Sequence, residues 1–97
     1  MSNQEIMKTE NVLVRIMPLE KDGATEWHSH SQVRDFFVCL LGAVQVETRE
    51  PGQQSLLLPG ERAEVAPLQV HRVKNVAAGK SEYLLIQGVG AYDFRKE

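Results

Sequence analysis

Gly23-Ala24-Thr25-Glu26-Trp27-His28-Ser29-His30-Ser31-Gln32-Val33-Arg34-Asp35-Phe36-Phe37-Val38-Cys39-Leu40-Leu41-Gly42 is the stretch that decides how this chain folds. Its two glycines bracket two extended runs. Residues 24–30 read as one strand and residues 35–41 as the next. Side chains alternate along a strand, so His28 and His30 leave the same face together. Trp27 then faces away from them, as a packing or interface residue. After Asp35 the second run is continuously apolar, the pattern of a strand covered on both faces. A turn between the runs swings the Asp35 carboxylate back toward the histidine pair. Phe37 shares the face of Asp35, and Cys39 reads as a small buried hydrophobe.

Outward from this stretch, turn signals recur at Pro51-Gly52, Pro59-Gly60 and Gly79. Short runs rich in Val, Leu and Ile lie between them, at 43–49, 54–58, 62–66, 70–76 and 82–89. Upstream, residues 11–17 form another strand, with Val12, Val14 and Ile16 on one face and Leu13, Arg15 and Met17 on the other. Regular punctuation of short strands predicts an all-β sandwich or barrel. No window carries the spacing of an amphipathic helix. At 97 residues the chain is one domain, 1–97. The polar ends, 1–9 and 93–97, are expected to be loosely held.

The remaining histidine, His71, lies on a distant strand and meets the pair if the sheet folds over itself. Three imidazoles and one carboxylate would make a mononuclear metal site with open positions, and neutral imidazole suits zinc, copper, iron and nickel. Taken alone, the His-x-His spacing favours two surface histidines on an exposed face.

The wider pattern resembles the cupin family. The first cupin motif places a glycine, His-x-His, a glutamate and a second glycine at set intervals. Here Gly23, His28, His30, Asp35 and Gly42 fill that order. The second motif is matched by Gly60, by His71 eleven positions later, and by Asn75 four further on. Gly23 is one position late, Asp35 replaces the glutamate, Pro67 is displaced by one, and Leu68 stands where the family has glycine. The resemblance covers residues 23–75. It implies a double-stranded β-helix, a jelly-roll barrel, with a divalent metal ion (iron, zinc, nickel or manganese) held by His28, His30 and His71 and with Asp35 at the fourth position. Asp35 is one methylene shorter than glutamate. It can bind directly, hold a bound water, or pair with Arg34 or Arg72 and leave a three-histidine site like that of thiol dioxygenases. Asn75 fills a position that serves the strand end.

Composition narrows the function. A net charge of −2 argues against a nucleic-acid partner. The longest apolar run, residues 36–44 interrupted by Gly42, is far short of the ~20 residues a membrane helix needs. One cysteine and no leader-like segment point to the cytoplasm. Three functions are compatible: a metal-dependent enzyme on a small molecule, with oxygenase-type or isomerase-type chemistry; a non-catalytic small-ligand-binding or sensor module; or a structural barrel. Glu26 shares the parity of the histidines and is the candidate catalytic base. Tyr83 and Gln87 are candidate mouth residues. Gln45 and Glu47 are expected to face solvent, and Arg72 and Lys74 to point outward. Residues 11–17 carry Arg15 as their sole charge. They suit an edge strand buried in a homodimer, the assembly common in cupins, or covered by a folded-over N-terminus.

Overall fold

The computed structural model describes residues 3–97, so Met1 and Ser2 lie outside it. The described residues form ten strands and no helix: β1 (Gln4–Lys8), β2 (Val12–Leu19), β3 (His28–Ser29), β4 (Arg34–Leu41), β5 (Val44–Thr48), β6 (Gln53–Leu57), β7 (Arg62–Val65), β8 (His71–Asn75), β9 (Ser81–Gly88) and β10 (Arg95–Lys96). They make two antiparallel five-stranded sheets, ordered β1-β2-β9-β4-β7 and β10-β3-β8-β5-β6. Their inner faces enclose a core of Phe37, Cys39, Val44, Val46, Leu57, Val65, Val73, Tyr83 and Leu85. None of the described residues forms a helix long and apolar enough to cross a membrane.

Register carries the chemistry to one end of this core. Asp35 pairs with Gln87 and Phe37 with Leu85, while His71 pairs with both His28 and Thr48. Directly opposed residues share a face. The polar groups at the start of β4, the end of β9 and the start of β8 therefore point inward together, beyond the apolar layer.

Four expectations change. Residues 24–30 make only the short β3 and one isolated bridge, Ala24 to Lys74. Residue 25 is tied to β8 instead, by Thr25 N–H to the Val73 carbonyl at 2.9 Å and Val73 N–H to Thr25 Oγ1 at 2.9 Å. The apolar run of β4 is covered on one face only. Asp35, Phe37 and Cys39 are buried, whereas Phe36, Leu40 and Leu41 are exposed, because no layer packs outside this sheet. Residues 11–17 are not an edge, since β1 folds over and pairs with β2 on the side away from β9. The described ends are tied down too: β1 lies on β2, and β10 pairs with β3.

The glycine-bearing turns hold this register. Gly42 has φ +77°, and a Cβ there would meet Ser81 Oγ at 2.2 Å and the Lys80 carbonyl at 3.0 Å. Asn75 is buried behind it. Its amide donates to the carbonyls of Leu19, Glu20 and Gly79, and its Oδ1 accepts from Ala77 N–H and Ser81 Oγ–H. Leu68 keeps the left-handed backbone of the glycine it replaces, with φ +69°, while its side chain is exposed. Left-handed geometry costs a residue bearing a Cβ about 1–2 kcal/mol. Leu68→Gly removes that strain but adds freedom to the unfolded chain. A net gain of up to about 1 kcal/mol is expected in urea denaturation, with the Leu68 N–H bond to the His30 carbonyl kept.

Candidate metal centre

His28, His30, Asp35 and His71 are all buried, and one ligand atom from each lies within 4.8 Å of the others. Each imidazole is fixed from behind by a backbone carbonyl. His28 Nδ1 lies 2.6 Å from the Glu26 carbonyl, His30 Nδ1 2.5 Å from that of Asp93, and His71 Nδ1 2.9 Å from that of Gln69. A carbonyl oxygen only accepts, so each Nδ1 carries the proton and each neutral ring presents a bare Nε2.

Those Nε2 atoms face a carboxylate. Asp35 Oδ2 is 3.0 Å from His71 Nε2 and 3.2 Å from His30 Nε2. Lone pairs set against a carboxylate oxygen at that range repel unless a proton or a cation stands between them. The donor set therefore fits a divalent ion: three neutral imidazoles and one anionic oxygen on converging vectors. Asp35 pairs with neither Arg34 nor Arg72, which removes the third outcome considered for it. Arg34 is exposed, and Arg72 Nε bonds Glu47 Oε1 at 2.6 Å.

The surroundings complete the arrangement. Gln87 donates its amide to Asp35 Oδ1 at 3.1 Å and to His30 Nε2 at 3.2 Å. Its Oε1 accepts from Arg15 Nη2 at 2.5 Å. The final residues close over the mouth. The Phe94 ring stacks on His28 at 4.5 Å, Tyr92 lies 5.4 Å from His30, and Asp93 binds Ser31 through N–H and Oγ–H. Under the site, the Phe37 ring meets His71 edge-on at 6.0 Å.

Glu26 does not join this group. Without a strand through residue 26 the expected parity fails. Its side chain is 60% exposed and pairs with Lys96 at 3.6 Å, leaving only its carbonyl to act on the centre. Tyr83 belongs to the core rather than the mouth, and burial raises its phenol pKa. Burial likewise raises the Cys39 thiol. Glu47 is buried instead of solvated. The Arg72 guanidinium holds its carboxyl below the usual range, and Arg72 and Arg49 stack on Trp27 at 4.8 and 4.0 Å. Arg15 and the final segment were missed as site residues. The parity of Arg15 with Leu13 and Met17 was a usable signal, and so were two of the chain's six aromatics, Tyr92 and Phe94, set in a polar tail.

Protonation follows from these contacts. Burial lowers His28 to about 4, so it is neutral near pH 7. Burial also pushes His30 down, but Asp35 outweighs it and His30 ends raised above 6.5. Asp35 is pushed up by burial and pulled down further by His30 and His71, to about 2. A raised His30 keeps its proton as the pH rises through 6.5, so a metal must displace it. His28 competes only near pH 4. Below the raised His30 pKa, apparent metal affinity should weaken with a slope approaching about tenfold per pH unit. Titration against a chromophoric chelator from pH 8 to pH 5 checks this, and a flat profile would contradict it.

No family model matches the chain, and no curated protein matches it. Solved structures do match. An uncharacterized protein with a double-stranded β-helix domain from Klebsiella pneumoniae superposes with a TM-score of 0.85 at 18% identity, over 98% of this chain and 77% of that one. The chain has the cupin fold. A cupin 2 domain-containing protein from Halorhodospira halophila gives 0.83 at 16% identity, over 97% and 67%. An oxalate oxidase gives 0.81 at 12% identity, over 89% of this chain and 46% of that one. These likenesses define the cupin barrel, and the buried histidine–aspartate group within it could hold a metal ion.

Proposed function

We propose that this cupin barrel is a mononuclear metal-dependent enzyme acting on a small molecule. The observation that carries the reading is the convergence of three Nε2 atoms and Asp35, with every Nδ1 already committed to a carbonyl. A divalent ion (iron, zinc, nickel or manganese) would supply Lewis acidity or a site for dioxygen. The chain's own residues do the rest. The three carbonyls hold the rings in one tautomer, Gln87 orients Asp35, and Tyr92 and Phe94 limit water at the mouth. Oxygenase-type chemistry is the first class to test, and isomerase-type chemistry is the next.

A non-catalytic ligand-binding or sensor role is the second reading. It is favoured by the absence, among the described residues of the mouth, of a free base. Gln87 and Arg15 are not bases at neutral pH, and Glu26 stands outside. Elemental analysis of protein purified without added metal, then oxygen uptake by the iron-loaded form, separates these readings. Near-stoichiometric metal is expected. A protein that neither carries nor takes up metal would overturn the enzyme reading and leave the ligand-binding one.

The proposed assembly is a cytoplasmic homodimer. Support comes from β1, an exposed edge strand with Ile6 and Met7 uncovered, beside a sheet face on which Phe36 is exposed. Sedimentation at micromolar concentration tests it, and a monomer would overturn it.

A further inference from the structure

Arg15 is the feature the metal reading leaves unused. It enters the barrel from β2 on the inward face, opposed to Leu85 and between Leu13 and Met17. Its Nη2 donates to Gln87, its Cζ lies 5.2 Å from the Tyr92 ring, and it has no carboxylate partner among the described residues. Its Nε is buried and makes no hydrogen bond, alone in this among the buried side-chain nitrogen and oxygen atoms of the described residues. A guanidinium offers five donors in a planar fork suited to carboxylate. A buried donor without a partner is destabilising, so a native fold that keeps one asks for a ligand.

Charge points the same way. A divalent ion, the Asp35 carboxylate and the Arg15 guanidinium together leave an excess positive charge inside one barrel end. Gln87 stands between the two cationic groups. Its carbonyl oxygen is turned to Arg15 and its amide to Asp35 and His30, so one side chain links the guanidinium to the candidate metal ligands. Tyr92 covers the guanidinium and lies against His30.

We infer that Arg15 is the anion-binding residue of this site, holding the carboxylate of a small organic acid beside the metal centre, with Gln87 setting its orientation. The inference rests on the metal reading for its position but not for its test. The ligand is small, because Tyr92 and Phe94 crowd the mouth, and it carries a second oxygen toward the metal. Arg15 binds substrate and takes no proton in this scheme.

The test is calorimetric titration of the intact protein with lactate and with malonate, against lactamide as the neutral counterpart of lactate. Metal content is measured on the same samples. Wild type should bind the acids and bind lactamide at least about tenfold more weakly. Arg15→Met should lose a similar factor for the acids, with lactamide unchanged. Arg15→Lys should recover part of it, because an ammonium restores the charge without the fork. The lactate–lactamide comparison is made on wild type, so a folding defect in a variant cannot mimic the result. Equal binding of acid and amide, no binding of either acid, or Arg15→Met within twofold of wild type would each overturn the inference. Metal-free wild type that still prefers lactate over lactamide would keep Arg15 as the anion site and fail the metal reading alone. Full metal with no acid preference would do the reverse.

Discussion

His71→Ala is expected to strip the centre of metal, from near one equivalent to a small fraction of one. Of the candidate ligands, His71 has the least freedom to be replaced. It is fully buried, its Nδ1 is held by the Gln69 carbonyl, and its Nε2 faces Asp35 at 3.0 Å. Outer groups that merely orient a ligand alter metal affinity by about 10–100-fold. Loss of a ligand itself should exceed that range. The variant also leaves Asp35 with one imidazole fewer, at a cost of about 1–3 kcal/mol in the metal-free protein. Metal analysis after dialysis and a denaturation curve in excess chelator separate the two effects. Asp35→Asn is the companion variant. It keeps the shape and can still accept from Gln87, so a loss of affinity beyond about 100-fold would assign Asp35 as a direct ligand, and a smaller loss as the holder of a bound water. Unchanged metal in His71→Ala would refute the whole centre.

Phe37→Ala should produce the largest loss of stability. Phe37 is 1% exposed and lies between Tyr83 at 5.8 Å and His71 at 6.0 Å, so it joins the apolar core to the floor of the site. Truncating a buried phenylalanine to alanine costs about 3–5 kcal/mol, through lost transfer energy and the cavity left behind. For a domain of this size that lowers Tm by roughly 15–30 °C. It is a large part of the ordinary stability of a small protein. Phe37→Leu should cost far less, because the neighbours can close on a side chain of similar volume. A Phe37→Ala loss below about 1 kcal/mol in metal-free protein would show that the core does not rest on this ring.

Much of this was legible from short-range pattern. The His28–His30 pair, Gly42 and the eleven-residue step from Gly60 to His71 set the positions of the candidate ligands, because turns and strand alternation fix register locally. What could not be read came from the other sheet or from the chain's far end. Glu26 looked inward only if residues 24–30 ran as one strand. A Thr25–Val73 tie replaced that strand, and sequence spacing holds no trace of it. Glu47 looked solvated because its partner, Arg72, is twenty-five positions away. The apolar run of β4 looked doubly covered, since a strand's composition does not say whether a second layer lies outside it. Arg15 was visible as an oddity, one charge among apolar residues. What it touches depends on β9, which places Gln87 beside it.

The three histidines are steered by main-chain oxygens rather than by side chains, and this bears on how the protein can change over time. Glu26, Gln69 and Asp93 can each be exchanged for another residue without removing the carbonyl that holds an imidazole. Glu26→Ala, for instance, deletes an exposed ion pair and leaves the His28 bond in place. The sequence around the centre is therefore free to drift toward new surfaces and new ligands while the ring tautomers stay as they are. Such drift can reshape recognition at the mouth without first dismantling the chemistry beneath it.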